Sequence, residues 1–336
     1  CYVYQTILWA STPLQSIASA HLLGEKIGRQ SGDFIYTMLN LQLALTTSFV
    51  AGDRLDSVRI KIRDFIWKML SKKNLAFVGP SILLHSQTVA LIEGLHILEA
   101  GRIENNIPSE SEVLSDAVFV ITKQIHLVVR AFLFRQLDDV SYDVNLIDTI
   151  LKKHQLRPIL LMGVFFGGLL SFQYAHQSKN APTTLWMEKG EYVLMKMTCF
   201  NEHSKHNWEN KMLLLGAEKM NILGEFDQAE SLYISSIRSA KEHNFLHEEA
   251  IASELAGEFF FARGFRQKSL ELLLHAERCY ERWGASAVAR RVEKCVEIKF
   301  GSDHAKLRPI DDILQGFFSL EGGSSNKRRG VENNYA

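Results

Sequence analysis

Two runs decide the fold: Leu223-Gly-Glu-Phe-Asp-Gln-Ala229-Glu-Ser-Leu-Tyr233 and Phe260-Phe-Ala-Arg-Gly264-Phe-Arg-Gln-Lys-Ser269-Leu270. Each places a glycine and an aromatic residue ahead of a small residue: Gly224, Phe226 and Ala229, then Gly264, Phe265 and Ser269. Glycine takes the left-handed conformation that ends a helix, and the residues after it start another. The interval from Gly224 to Gly264 is of the size that repeated α-hairpins leave in a sequence. Working outward, Trp208 to about Lys299 reads as four or five consecutive helices in two copies of one helix–turn–helix unit.

Composition points the same way. The 336 residues allow two ordinary domains or one long repeat array. Apolar residues make up 46%, enough for a continuous core, and only 6 residues are Pro. Few prolines with abundant Leu, Ala, Glu, Lys and Arg predict an all-α chain. Lys plus Arg and Asp plus Glu are each 38. That balance offers no field to steer nucleic acid or an anionic membrane, and the run Lys327-Arg328-Arg329 is too short to make a face. The expected partner is a protein or an adjacent domain of the same polypeptide. Cys1, Cys199, Cys279 and Cys295 form no CxxC pair, so free thiols in a reducing, cytoplasmic setting are expected. The chain opens on Cys1 in helical register, without a basic-then-apolar leader. A segment of a longer protein, or a gene model missing its start, is the expectation. The apolar run Pro158–Leu170 falls short of the ~18–20 residues of a membrane span. It reads as a buried helix, with a span as the alternative.

In chain order, helices are predicted over 12–30, 34–51 and 55–71, with turns at Gly32-Asp33 and Gly52-Asp53. Gly79-Pro80 is expected to break the chain before a helix over 81–98. A polar loop over 101–111 precedes a helix over 113–135, closed by Asp138-Asp139. Further helices are expected over 144–154, through the apolar run, and over 184–199, with a polar link at 201–207. The resulting division is a divergent helical-repeat region over 1–200, regular repeats over 201–300, a short terminal helix over 301–320 and a disordered tail over 321–336.

The organising stretch resembles tetratricopeptide repeats through Gly224, Phe226, Ala229 and Tyr233, then Gly257, Phe260, Gly264 and Ala276. Small residues let helices approach and aromatic residues fill the space beside them. Ser269 stands where that motif prefers Ala, and the period exceeds the usual ~34. The runs His247–Gly264 and Ala276–Ala285, the latter with Trp283, resemble a stretch of large multidomain signalling proteins. Those combine an AAA-type ATPase, a helical-repeat region and GAF and histidine kinase output modules, often behind a serine/threonine kinase. The resemblance implies an α-solenoid of stacked antiparallel hairpins acting as a non-catalytic scaffold, with no cofactor and no metal. A ligand-sensing repeat domain gating an attached ATPase or kinase is the alternative. No Gly-x-x-x-x-Gly-Lys-Ser/Thr run and no kinase Gly-rich loop occurs in the sequence.

Several constellations invite chemistry. Cys199, Glu202, His203 and His206 lie close together in the chain and carry zinc-type donors, but read better as a polar loop. His243 and His247 are expected to flank a turn at Asn244-Phe245, with Glu248 and Glu249 facing a helix N-terminus. Trp208, Tyr233, Tyr280 and Trp283 read as core, with the Trp283 ring over its own last helical turn. Arg282, Arg290, Arg291 and Lys294, like the cations of helix 55–71, are candidates for partner contact, against the default of a solvated face.

Overall fold

The structure, a computed structural model, describes residues 8–71, 79–95, 117–136, 158–177 and 182–301. Among the described residues there are twelve α-helices, one short 3₁₀ turn and no strand. They are α1 (Leu14–Ser31), α2 (Phe34–Val50), α3 (Leu55–Ser71), α4 (Gly79–Glu93), α5 (Ala117–Phe134) and α6 (Pro158–Gln177). There follow α7 (Pro182–His203), α8 (Lys205–Leu223), α9 (Phe226–Glu242), α10 (Leu246–Ala262), α11 (Arg266–Trp283) and α12 (Ser286–Phe300).

One turn recurs. Gly224, Asn244, Gly264 and Gly284 all have positive φ and stand at equal intervals along the chain. After each, the next N–H reaches back to a carbonyl near the end of the preceding helix: Glu225 to Met220 O, Phe245 to Ala240 O, Phe265 to Phe260 O, and Ala285 to Tyr280 O, at 2.8–3.0 Å. This pairing satisfies carbonyls that a helix end leaves open. The same bond follows Gly32, Gly52, Gly94 and Arg135. The interval read from the sequence, Gly224 to Gly264, is therefore two equal steps with Asn244 at its midpoint.

Several expected boundaries move. Gly79 and Pro80 open α4 instead of breaking the chain before it, since the first turn needs no N–H from proline. That helix stops at Glu93 rather than 98, where Gly94 turns at φ 77° and Leu95 N bonds Ala90 O. The link expected over 201–207 shrinks to Ser204, one extended residue between α7 and α8. The division expected at 200/201 falls inside α7, which packs on α8 without a break. The helix expected over 144–154, the loop over 101–111, the closure at Asp138-Asp139, the terminal helix and the tail lie outside the described residues.

Helices adjacent in sequence pack together: α1 on α2, α8 on α9, α9 on α10, α10 on α11 and α11 on α12. Gly257 permits close approach of α10 and α11, because a Cβ there would stand 2.8 Å from Leu273 Cγ. Ser269, in place of the motif's Ala, donates to Gly257 O at 2.7 Å and ties the same two helices. Helix α6 is buried from Pro158 through Phe172. It is long and apolar enough to cross a membrane, but 89% of its apolar window is covered by the protein's own helices.

Contacts also run far in sequence. Helix α12 packs on α4 and α5, and α2 packs on α6. The Asn207 amide donates to Trp9 O and Thr12 O while its oxygen accepts the Leu14 N–H, fastening the start of α1 to α8. Trp283 is not folded over its own helix. Its Nε1 donates to Asp53 O at 3.1 Å, and its ring lies beside His247 and Phe49. Nearby, the His85 and His126 rings meet edge to face at 4.5 Å. Burial pushes His85 and His247 down to about 4, so these rings are neutral near pH 7.

The turns can be tested directly. No atom lies within 4 Å of a Cβ built at Gly264, whose φ is 82°, so Gly264→Ala isolates the conformational cost. It is expected to lower urea stability by about 1 kcal/mol. Asn244→Gly, at φ 61°, is expected to raise it by about 0.5 kcal/mol.

Candidate functional site

Glu254 lies inside α10 with 2% of its surface exposed. Its Oε1 accepts from Arg135 Nε at 3.2 Å and Nη2 at 2.9 Å. Its Oε2 accepts from Arg291 Nη2 at 2.8 Å and the Tyr280 hydroxyl at 2.9 Å. The partners come from the end of α5, from α12 and from α11. Burial raises a carboxyl pKa, but Arg135 and Arg291 outweigh that and hold Glu254 at about 2.

Arg135 occupies a left-handed turn, φ 56°, of the type that glycine takes at six of the other seven positions. A non-glycine residue there costs about 1–2 kcal/mol, which is consistent with a side chain required in place. Its Nη2 also lies 3.8 Å from Glu258, one helical turn beyond Glu254. Arg135 Nη1 and Arg291 Nε are buried with no hydrogen-bond partner among the described residues.

Two cavities flank this pair, and both include Arg135 and Glu258 in their walls. The larger, of about 550 Å³, is bounded on one side by the face of α12 that carries Arg290, Arg291, Lys294 and Lys299. Arg290 and Lys294 are exposed and have no ion pair among the described residues. The Arg290 guanidinium fits over Gly94, where a Cβ would approach it to 2.3 Å. Five cations thus border this space against Glu258, with Glu254 behind the wall. The smaller cavity, of about 370 Å³, is more acidic and carries Glu218, Tyr233 and Asn221. Burial lifts Glu218 to about 7, although the Tyr233 hydroxyl that donates to it and the nearby Arg135 charge pull the other way.

The repeat positions singled out in the sequence lie mainly in the core and the turns, and Tyr233 also lines the smaller cavity. Ala229, Tyr233, Phe260, Ala276 and Trp283 are buried core, and Gly224 and Gly264 are the turns. Phe226 remains 38% exposed, with the Arg263 guanidinium 3.1 Å from its ring centroid. Among the loop donors, Cys199, Glu202 and His203 are exposed at the end of α7, and the exposed His206 meets His243 edge to face. His243 and His247 do flank the Asn244 turn, but Glu248 is drawn inside to Lys211 at 2.7 Å and Glu249 to His275 at 2.9 Å. Arg291 and Lys294 do line the cavity. Arg135, Glu218, Glu254 and Glu258 are not singled out by sequence reasoning. The one local signal is the spacing of Glu254 and Glu258, one turn apart in the mostly apolar run Ile251–Ala262; it marks those two residues but neither their partners nor Arg135 and Glu218.

Comparison with known protein families, with curated proteins and with solved structures found no match to this chain.

Removing Glu254 leaves two guanidinium groups without their carboxylate. Glu254→Gln is expected to cost about 3–5 kcal/mol in denaturant unfolding. Glu218 behaves oppositely. Its native pKa, about 7, exceeds the ordinary 4.5, so the native state binds this proton more tightly than the unfolded chain. Its support is full below pH 4.5 and is lost as pH rises from there through about 7. Glu218→Gln is expected to exceed wild type by about 2–3 kcal/mol near pH 8 and to match it within about 1 kcal/mol near pH 4. Unfolding midpoints at the two pH values check both signs.

Proposed function

We propose that this chain is a non-catalytic helical-repeat scaffold of the α-solenoid kind, built from stacked antiparallel hairpins, within an ATPase- or kinase-linked signalling protein. The observation that supports it best is the recurrence of one left-handed turn at equal intervals from Gly224 to Gly284. A single repeated unit extends a surface without altering its chemistry, as scaffolds require. The docking surface in this reading is the cationic face of α12 with Arg135 behind it, and the partner is an acidic segment of another protein or of an adjacent domain.

The ligand-sensing alternative draws on one feature, the two cavities that share Arg135 and Glu258. A small-molecule sensor would be better served by a deep apolar enclosure. The larger space is bordered mainly by charged side chains, which favours the protein-docking reading.

Fluorescence anisotropy with a labelled Glu/Asp-rich peptide tests the surface. Binding is expected to weaken with salt and to fall about tenfold or more in Arg290→Glu/Lys294→Glu, at unchanged helicity. Equal binding by both proteins, or none by wild type, overturns it. The open reading frame tests the context separately: a Walker-type motif before this segment and a sensor or kinase module after it are expected.

A further inference from the structure

We propose that Glu249, His275 and Cys279 form a binding site for one thiophilic divalent cation, best matched by zinc, between α10 and α11. The donors are a carboxylate, an imidazole and a thiol, the three side-chain types that zinc prefers. His275 Nε2 lies 2.9 Å from a Glu249 carboxylate oxygen and 3.5 Å from Cys279 Sγ. All three donor atoms fall within 4.8 Å of one another. Donors bound tetrahedrally at about 2.0–2.3 Å stand roughly 3.3–3.6 Å apart, so the ion enters with small shifts of the three side chains.

Local structure fixes the set. His275 and Cys279 are one turn apart on α11 and project from the same face. Glu249 is in the first turn of α10, where Ser253 Oγ donates to its carbonyl at 2.7 Å. The hydrogen bond with His275 accounts for Glu249 in the metal-free protein; the thiol directed at the same point supplies a third donor. Cys279 and Glu249 are buried, whereas the His275 side chain is 12% exposed.

On binding, the Cys279 S–H proton leaves to solvent and the sulfur keeps the electron pair. His275 releases to solvent the Nε2 proton that bonds Glu249 and carries its ring proton on Nδ1, so that Nε2 offers its lone pair. Thiolate and carboxylate then neutralise the two positive charges of the ion. Burial and the Glu249 carboxylate push the Cys279 thiol up in the metal-free protein, with Arg282 and Lys241 pulling the other way, so the entering ion must displace this proton.

The experiment uses chelator-treated protein with Cys1, Cys199 and Cys295 changed to Ser, titrated with cobalt(II). A near-ultraviolet thiolate-to-cobalt band, with the visible bands of a four-coordinate ion, is expected to saturate at one equivalent and to vanish on adding zinc. Cys279→Ala is expected to abolish the band, and His275→Gln to weaken affinity about tenfold or more. Melting in chelator serves as the fold control, and zinc is expected to raise the melting temperature of the parent but not of Cys279→Ala. No charge-transfer band in the parent, or a band that survives Cys279→Ala, overturns the proposal.

Discussion

The most demanding interaction in this protein is the burial of the Glu254 carboxylate. An isolated carboxylate inside a protein costs several kcal/mol, and only close, well-directed counter-charges compensate. Here the compensation is spread over Arg135 at the end of α5, Tyr280 on α11 and Arg291 on α12. Arg135 and Arg291 are far apart in the chain, yet they meet on one carboxyl group. Arg135, which joins the end of α5 to Glu254 on α10, also lines both cavities. Removing the carboxylate would loosen the fold and reshape the groove together.

A second constraint governs which faces meet. A turn recurring at equal intervals gives α9, α10 and α11 nearly equal lengths. If members of such an array touched only their neighbours, bending would distribute along it. This chain also has ties between helices far apart in sequence, through Trp283 to Asp53 O, Asn207 to the start of α1, and α12 onto α4. Gly52 shows how tight the closure is, since a Cβ there would stand 2.2 Å from His247 Nδ1. Arg290 lies over the Gly94 turn. A partner that displaces that guanidinium therefore acts on the end of α4 as well as on α12.

Legibility in the sequence follows the range of the forces involved. The helices and turns after Trp208 are readable because glycines, small residues and aromatic residues act locally. The turn at Asn244-Phe245 is readable as well, although an asparagine in the left-handed region does not show that it repeats the glycine turns on either side. The end of α4 is hidden in the same way, since nothing local distinguishes Gly94 as a terminator from a glycine inside a helix. The Glu254 cluster and the cavity walls are not readable. Arg135, Tyr280 and Arg291 reach Glu254 from three other elements, and no spacing along one helix records that encounter. The reach of Trp283 is hidden for the same reason, its partner being Asp53 O near the opposite end of the chain.

Formal charge balance misrepresents the surface. With 38 cationic and 38 acidic residues the chain is neutral, which suggests no field. Among the described residues, however, Glu25, Glu218, Glu248, Glu249, Glu254 and Glu271 are buried, while Lys211 is the only fully buried lysine or arginine. Acids withdrawn from solvent cannot screen the cations left outside, and one of them, Glu218, is partly protonated near pH 7. The cationic face of α12 is a local excess, Arg290, Arg291, Lys294 and Lys299 against Glu293 and Glu297, that the neutral total conceals. Under the proposed docking reading, attraction of an acidic segment to this face would draw on Arg135 and Arg291, which also hold Glu254 inside the fold.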